Sequence, residues 1–330
     1  MKEFNEYGEP VEAPKKKKWG FFSSYTKDGK GVKKEDIITD YNFINFFKLY
    51  ARRFSKLVWV NALYIVGNFP IIFLMIALSH YFSDMGNSPA SELFAVISGI
   101  GTAGGGVGTL PAPLIGIHGG MGTIFSPTVV TYILYAISAL FIFTFGPVNA
   151  GCAYIIKNLI KGEPVFLWQD FIMTIKRNWK QALPMGILDL GVIALSLFSL
   201  MSYYVNYDHY YVFFWTMLLI IMLYTFIRFY LYTIMVTFEL GFFQIIKNSM
   251  IFALLGFWRN LAMFAGICLM IFLVVWLGSL FIPIAVISIF ILIFATSAFM
   301  GTYAAYPKIK KYMIDPYYTK SEQEEAEYGE

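Results

Sequence analysis

The stretch YVFFWTMLLIIMLYTFIRFYLYTIMVTF (residues 211–238) holds one charge, Arg228, in an otherwise apolar and aromatic run. A helix needs about 20 apolar residues to cross the ~30 Å hydrocarbon core of a bilayer, so this segment is long enough to span. Five other runs are of the same kind, at residues 57–78, 129–156, 182–205, 261–280 and 281–303, and the only charge inside any of them is Asp189. Threading the six alternately leaves residues 79–127, 206–209 and the turn near Gly278 and Ser279 on one side, and none of these carries Lys or Arg. All basic residues other than Arg228 fall on the opposite side, which is therefore expected to be the cytoplasm, with both termini inside. The expected fold is an all-α membrane protein of six transmembrane helices.

Composition agrees with this reading. Hydrophobic residues make up 58% of the chain and mean hydropathy is +0.62, above the ~45–50% apolar share of soluble domains. Thirteen of the 25 basic residues precede Leu57, including the run from Lys15 to Lys18, so the modest net charge of +4 conceals a basic N-terminal region. Residues 1–40 lack the apolar density that offsets ordering entropy and are expected to be a disordered cytoplasmic tail. Its lysines serve as topology determinants or are drawn to anionic lipid at about 1 kcal/mol per charge; nucleic acid is not an expected partner. The membrane domain is placed at 41–308, enclosing a Gly-rich extracellular loop at 79–128, and residues 309–330 form an acidic cytoplasmic tail. The first run follows a long polar segment, so it is expected to insert as an internal anchor rather than as a cleaved signal.

Segments 41–56, 165–180 and 241–260 show helical rather than continuous apolarity and are expected to be amphipathic helices in the inner interface before spans one, three and five. Each ends in an aromatic and basic signature. Arg53 and Trp59 flank the first span, Arg177, Asn178 and Trp179 the third, and Trp258, Arg259 and Asn260 the fifth. Tryptophan favours the headgroup level and Arg pins the inner end, so these residues are read as interfacial anchors. Their recurrence suggests three units, each an interfacial helix followed by a two-span hairpin.

Few residues here suggest chemistry. Cys152 and Cys268 both lie in expected spans, where lipid raises a thiol's pKa and silences it as a nucleophile. His80, His118 and His209 have no metal-ligand spacing. The glycines of the outer loop lack the lysine a phosphate loop requires. No catalytic residues, metal or cofactor are assigned, and an enzyme is not expected.

The candidates that remain are intramembrane. A charge at the bilayer centre costs at least ~2.5–3.5 kcal/mol, so it faces the bundle interior and finds a partner. Counted from the inner ends at about 1.5 Å per residue, Asp189 lies roughly 10 Å deep and Arg228 roughly 15 Å. An Asp189–Arg228 pair is therefore expected, either as a fixed salt bridge setting helix register or as part of a solute or proton site. Gly146, Pro147 and Asn149 are expected to kink and interrupt the second span, as a packing device or as the lining of a pathway. Asn61, Asn68 and Pro70 give the first span a polar stripe. The tyrosines between 203 and 211 read as an outer aromatic belt, with sugar stacking as the alternative.

Three elements, taken in order, resemble the YesL-like bacterial membrane proteins, a family of unknown function. They are the first span opening at Leu57, Val58, Trp59, Val60 and Asn61; the helix from Gly146 and Pro147 into Lys157, Asn158, Lys161 and Gly162; and Trp168 to Phe171 followed by Asn178 to Ala182. The likeness covers roughly residues 41–310 and supplies no catalytic residues. It implies a bacterial plasma-membrane protein associated with carbohydrate uptake. Two readings follow: an accessory or regulatory subunit bound to a sugar ABC importer, or a small-solute permease or channel with Asp189, Arg228 and the Pro147 kink along its pathway.

Overall fold

A computed structural model describes residues 40–89, 91, 93 and 120–316. The 1–39 tail, residues 317–330, His118 and most of the glycines of the outer loop lie outside them. The chain is predominantly helical. Five of the described helices are long and apolar enough to cross a membrane, or six if one bent pair counts as a single span.

That bent pair is the first expected span. Helix α1 (Phe43–Gly67) continues through the expected interfacial segment into the apolar run, and α2 (Pro70–Leu78) leaves it at 67°. The break is chemical: Pro70 has no N–H to donate to the preceding turn, and Asn68 caps α1 by giving both its backbone N–H and its side-chain amide to the Tyr64 carbonyl, each at 3.1 Å. The start of α1 is set by Asn42, whose side chain accepts from the Asn45 N–H at 2.8 Å. The first interfacial helix is thus not a separate element.

The outer segment is not wholly irregular either. Strand β1 (Ser83–Pro89) pairs antiparallel with β2 (Met121–Pro127) in the register Ser83 to Pro127 through Pro89 to Met121. This two-stranded ribbon departs from the all-α expectation. It closes the ends of the insertion above α2 and its packing partner α3 (Val129–Ser138).

After a turn at Ala139 and Leu140 the chain enters α4 (Phe141–Lys161), which Gly162 ends in the left-handed conformation at φ 82. The helical assignment is not interrupted at Gly146 and Pro147: α4 runs continuously through Pro147, and the break between helices lies at Ala139 and Leu140. Packing holds the proline turn in place: Gly146 lies backbone to backbone against Gly186, where a Cβ would come within 1.9 Å of the Ala182 carbonyl oxygen. Helix α5 (Leu167–Val205) has 39 residues, about 58 Å at 1.5 Å per residue. The second interfacial segment is therefore the first part of a continuous helix; the residues around Asn178 favour a headgroup environment without stopping a helix.

Helix α6 (Tyr207–Met235) returns across the domain. Helix α7 (Phe242–Leu255) then stands as a separate short helix, broken from α8 (Phe257–Leu280) at Gly256. Of the three interfacial segments, this one alone is a distinct element, so the threefold repeat is not reproduced in the helix boundaries. Tyr230 Oη donates to Asn260 Oδ1 at 3.1 Å, while Asn260 Nδ2 donates to the Ala253 carbonyl at 2.9 Å, which fixes the turn. The last span comprises α9 (Ile282–Ser288), a π-helical stretch (Ile289–Ile293) and α10 (Phe294–Ile309), and it continues as a π-helix over Lys310–Ile314. The described part of the acidic tail at 309–316 is thus helical. Met185, Phe226, Tyr230, Ile234, Ile245 and Ile309 form the buried core.

The anchors divide. Trp59, Trp179 and Trp258 are exposed on the helix surfaces. Arg259 instead crosses the fold, donating to the Tyr41 carbonyl at 2.7 Å and the Tyr303 carbonyl at 2.9 Å while its guanidinium lies over the Tyr303 ring. Burial beside it pushes the Tyr41 phenol up to about 12. Asn178 bonds its own helix at Thr174, Arg177 lies over the Tyr154 ring, and Arg53 Nε is buried without a hydrogen-bond partner among the described residues.

Candidate functional site: an intramembrane cavity at Arg228

Asp189, on α5, is fully buried and accepts three hydrogen bonds. Tyr224 Oη donates to Oδ1 at 2.7 Å; Arg228 Nε and Tyr232 Oη donate to Oδ2 at 2.9 and 2.8 Å. The expected pair is formed. Its tyrosines were not foreseen, although α6 carried the signal: Tyr224, Arg228 and Tyr232 follow at four-residue spacing and so share one helix face. Three donors around one carboxylate supply the compensation that a buried charge requires.

Arg228 is held on several sides. Its Nη2 donates to Asn149 Oδ1 at 3.4 Å, and its guanidinium lies over the Phe145 ring at 5.6 Å. Asn149 Nδ2 donates in turn to the Phe145 carbonyl at 2.7 Å. Asn149 is thus fixed as an acceptor facing the guanidinium, and the Gly146–Gly186 contact that brings α4 against α5 places it there. Pro147, buried two residues before Asn149, lies within α4 without ending it.

Asp189 has no accessible surface, whereas the Arg228 side chain keeps 35% of its own. That surface faces a cavity of about 670 Å³ between α1, α2, α4, α6 and the last span. Tyr64, Met75, Phe145, Ile267 and Phe290 represent its apolar lining; Arg228 and Asn149 lie at its polar part, with Asn68 and Thr302 elsewhere on the wall. Among the described residues, Arg228 Nη1 makes no hydrogen bond.

A second polar arrangement borders the same cavity. Asn61, fully buried on α1, reaches into the π-helical stretch. Its Nδ2 donates to the carbonyls of Ile289 at 2.8 Å and Phe290 at 2.6 Å, and its Oδ1 accepts the Ala295 N–H at 2.9 Å. Asn61 thereby replaces partners that the altered ladder leaves free.

His80 stacks on Phe125 and His209 lies in the first turn of α6; no group of three or more His, Cys, Asp or Glu able to hold a metal occurs among the described residues. The tyrosines near 203–211 pack with Phe213 and Phe214 as an aromatic cluster.

The family described as "Protein of unknown function, DUF624" matches residues 125–200. The matched stretch holds Gly146, Asn149, Gly186 and Asp189, while Arg228 and both tyrosine donors lie beyond it. No curated protein and no solved structure matches the chain.

Proposed function

We propose that this is a non-enzymatic multi-pass protein of the bacterial plasma membrane, with cytoplasmic termini, whose membrane domain holds a small solute in the cavity at Arg228. One observation carries the reading: the carboxylate partner is hidden and holds three donors, while the guanidinium presents free donors to a cavity among the helices. A salt bridge that served register alone would have no need of a cavity on its cationic side. This favours the permease reading, with Pro147 and Asn149 supporting the site. The test is solute flux in proteoliposomes carrying wild-type protein or the double variant Asp189→Asn/Arg228→Gln. Flux lost in a variant that stays folded supports the reading; unchanged flux returns the pair to a structural role.

A second reading is an accessory subunit of a carbohydrate ABC importer. It is supported by the resemblance to YesL-like proteins and by α7, a separate helix that leaves Phe243, Met250 and Leu254 exposed. Affinity capture from native membranes in mild detergent tests it. Stoichiometric importer subunits support the role; recovery of the chain alone removes it.

A further inference from the structure

We infer that the ligand of the Arg228 cavity is an amphiphile, with an anionic oxygen head (a carboxylate or a phosphate) on an apolar body. The inference rests on the reading of the cavity as a solute site and adds the chemistry of the solute. Three observations lead to it. The first is the state of the wall's donors. The hydroxyl protons of Thr225, Thr233 and Ser297 are committed to carbonyls one turn back on their own helices, and that of Tyr232 is committed to Asp189. The amide of Asn149 is committed to Phe145. Of the hydroxyls on the wall, those of Tyr64 and Thr302 make no hydrogen bond among the described residues. Two such groups are too few for the several hydroxyls of a sugar, most of which would be buried unsatisfied.

The second observation is the direction of the remaining donors. Arg228 uses Nε on Asp189 and one Nη2 hydrogen on Asn149, so Nη1 and the outer edge of the guanidinium face the cavity. That planar edge suits the two oxygens of a carboxylate or phosphate. The third is electrostatic. Tyr224 and Tyr232 also donate to Asp189 and draw its negative charge away from the arginine. The open face of Arg228 therefore keeps a positive potential that favours an anion and disfavours a cation. From that head the wall is apolar along Ile72 and Met75 of α2 and Phe290 of the last span. The volume of about 670 Å³ lies within the ~300–1,000 Å³ range of small-ligand sites.

The experiment uses full-length protein in non-ionic detergent, as wild type, Arg228→Gln, Arg228→Lys and Ala298→Phe. The last narrows the cavity and alters no charged residue. Binding of cis-parinaric acid, a fluorescent single-chain carboxylate, is measured, with oleic acid and oleyl alcohol as competitors, and co-purifying lipids are extracted and identified by mass spectrometry. Arg228→Gln is expected to weaken probe binding about tenfold or more, Arg228→Lys less, and Ala298→Phe to weaken it by narrowing the apolar part. The acid should compete and the alcohol should not. A phospholipid in the wild-type extract, depleted in Arg228→Gln, assigns the site to a bilayer lipid; a single-chain acid or phosphate assigns it to a diffusible amphiphile. Either supports the inference. Equal probe binding in wild type and both Arg228→Gln and Ala298→Phe, or equal competition by the alcohol, overturns it. Flux of an uncharged polar solute that the double variant abolishes, without amphiphile binding, overturns the inference and leaves the solute site standing. Absence of both removes the two together.

Discussion

Asn61 and Arg228 are both polar side chains set among apolar helices beside the same cavity, and their hydrogen-bonding capacities are used differently. Asn61 is fully buried, and both ends of its amide are engaged by backbone atoms of the last span. Arg228 gives one edge to Asp189 and Asn149 and leaves another open to space. Polarity among apolar helices alone therefore does not separate a structural group from a functional one in a membrane domain. Spare valence toward a cavity does.

Substitutions can break this contrast or sharpen it. The largest effect is expected at Asp189→Ala, which leaves a half-buried guanidinium and two phenols without their acceptor and should cost about 2–4 kcal/mol, below the full penalty of a wholly buried pair. Denaturation of the detergent-solubilised protein would measure it, and a cost below 1 kcal/mol would show that water already reaches the pair. Next comes Asn61→Leu, which strands two carbonyls and one N–H; a loss of about 2–3 kcal/mol is expected in the same assay, with ligand affinity unchanged. A change in affinity larger than the change in stability would place Asn61 among the binding residues and erase the distinction. The double variant Asp189→Asn/Arg228→Gln removes both charges at once, so its stability loss should be smaller than that of Asp189→Ala, about 1–2 kcal/mol. Its ligand binding should nevertheless vanish. The smallest effect belongs to Tyr224→Phe, which deletes one of three donors: about 0.5–1.5 kcal/mol, with modest strengthening of the Asp189–Arg228 attraction and weaker anion binding.

The spans were legible in the sequence because unbroken apolar runs have few alternative readings. The Asp189–Arg228 pair was legible too, since two lone charges at similar depth on successive antiparallel helices have no cheaper partner than each other. Interruptions were harder to place. Pro147 looked like a break, yet the Gly146–Gly186 contact holds α4 continuous through it; Arg177, Asn178 and Trp179 looked like a boundary, yet none of them stops a helix. The π-helical stretch left no trace in its own five residues, which are all apolar and contain neither proline nor glycine. Its partner Asn61 is 228 positions away from Ile289, a relation that no local pattern encodes.

The π-helical stretch also has a consequence for the phase of the last span. An i→i+5 turn holds one residue more than an α-turn, so the side chains beyond it are rotated by about 100° from where an uninterrupted count would put them. Thr296, Phe299 and Tyr303 meet α1 only because of that offset. Removing a single residue from 289–293 should restore a plain α-helix, keep the same faces inward on both sides, and leave Asn61 with nothing to hold. The deletion would then strand both ends of a fully buried amide, so it should be tolerated best when combined with Asn61→Leu on the neighbouring helix.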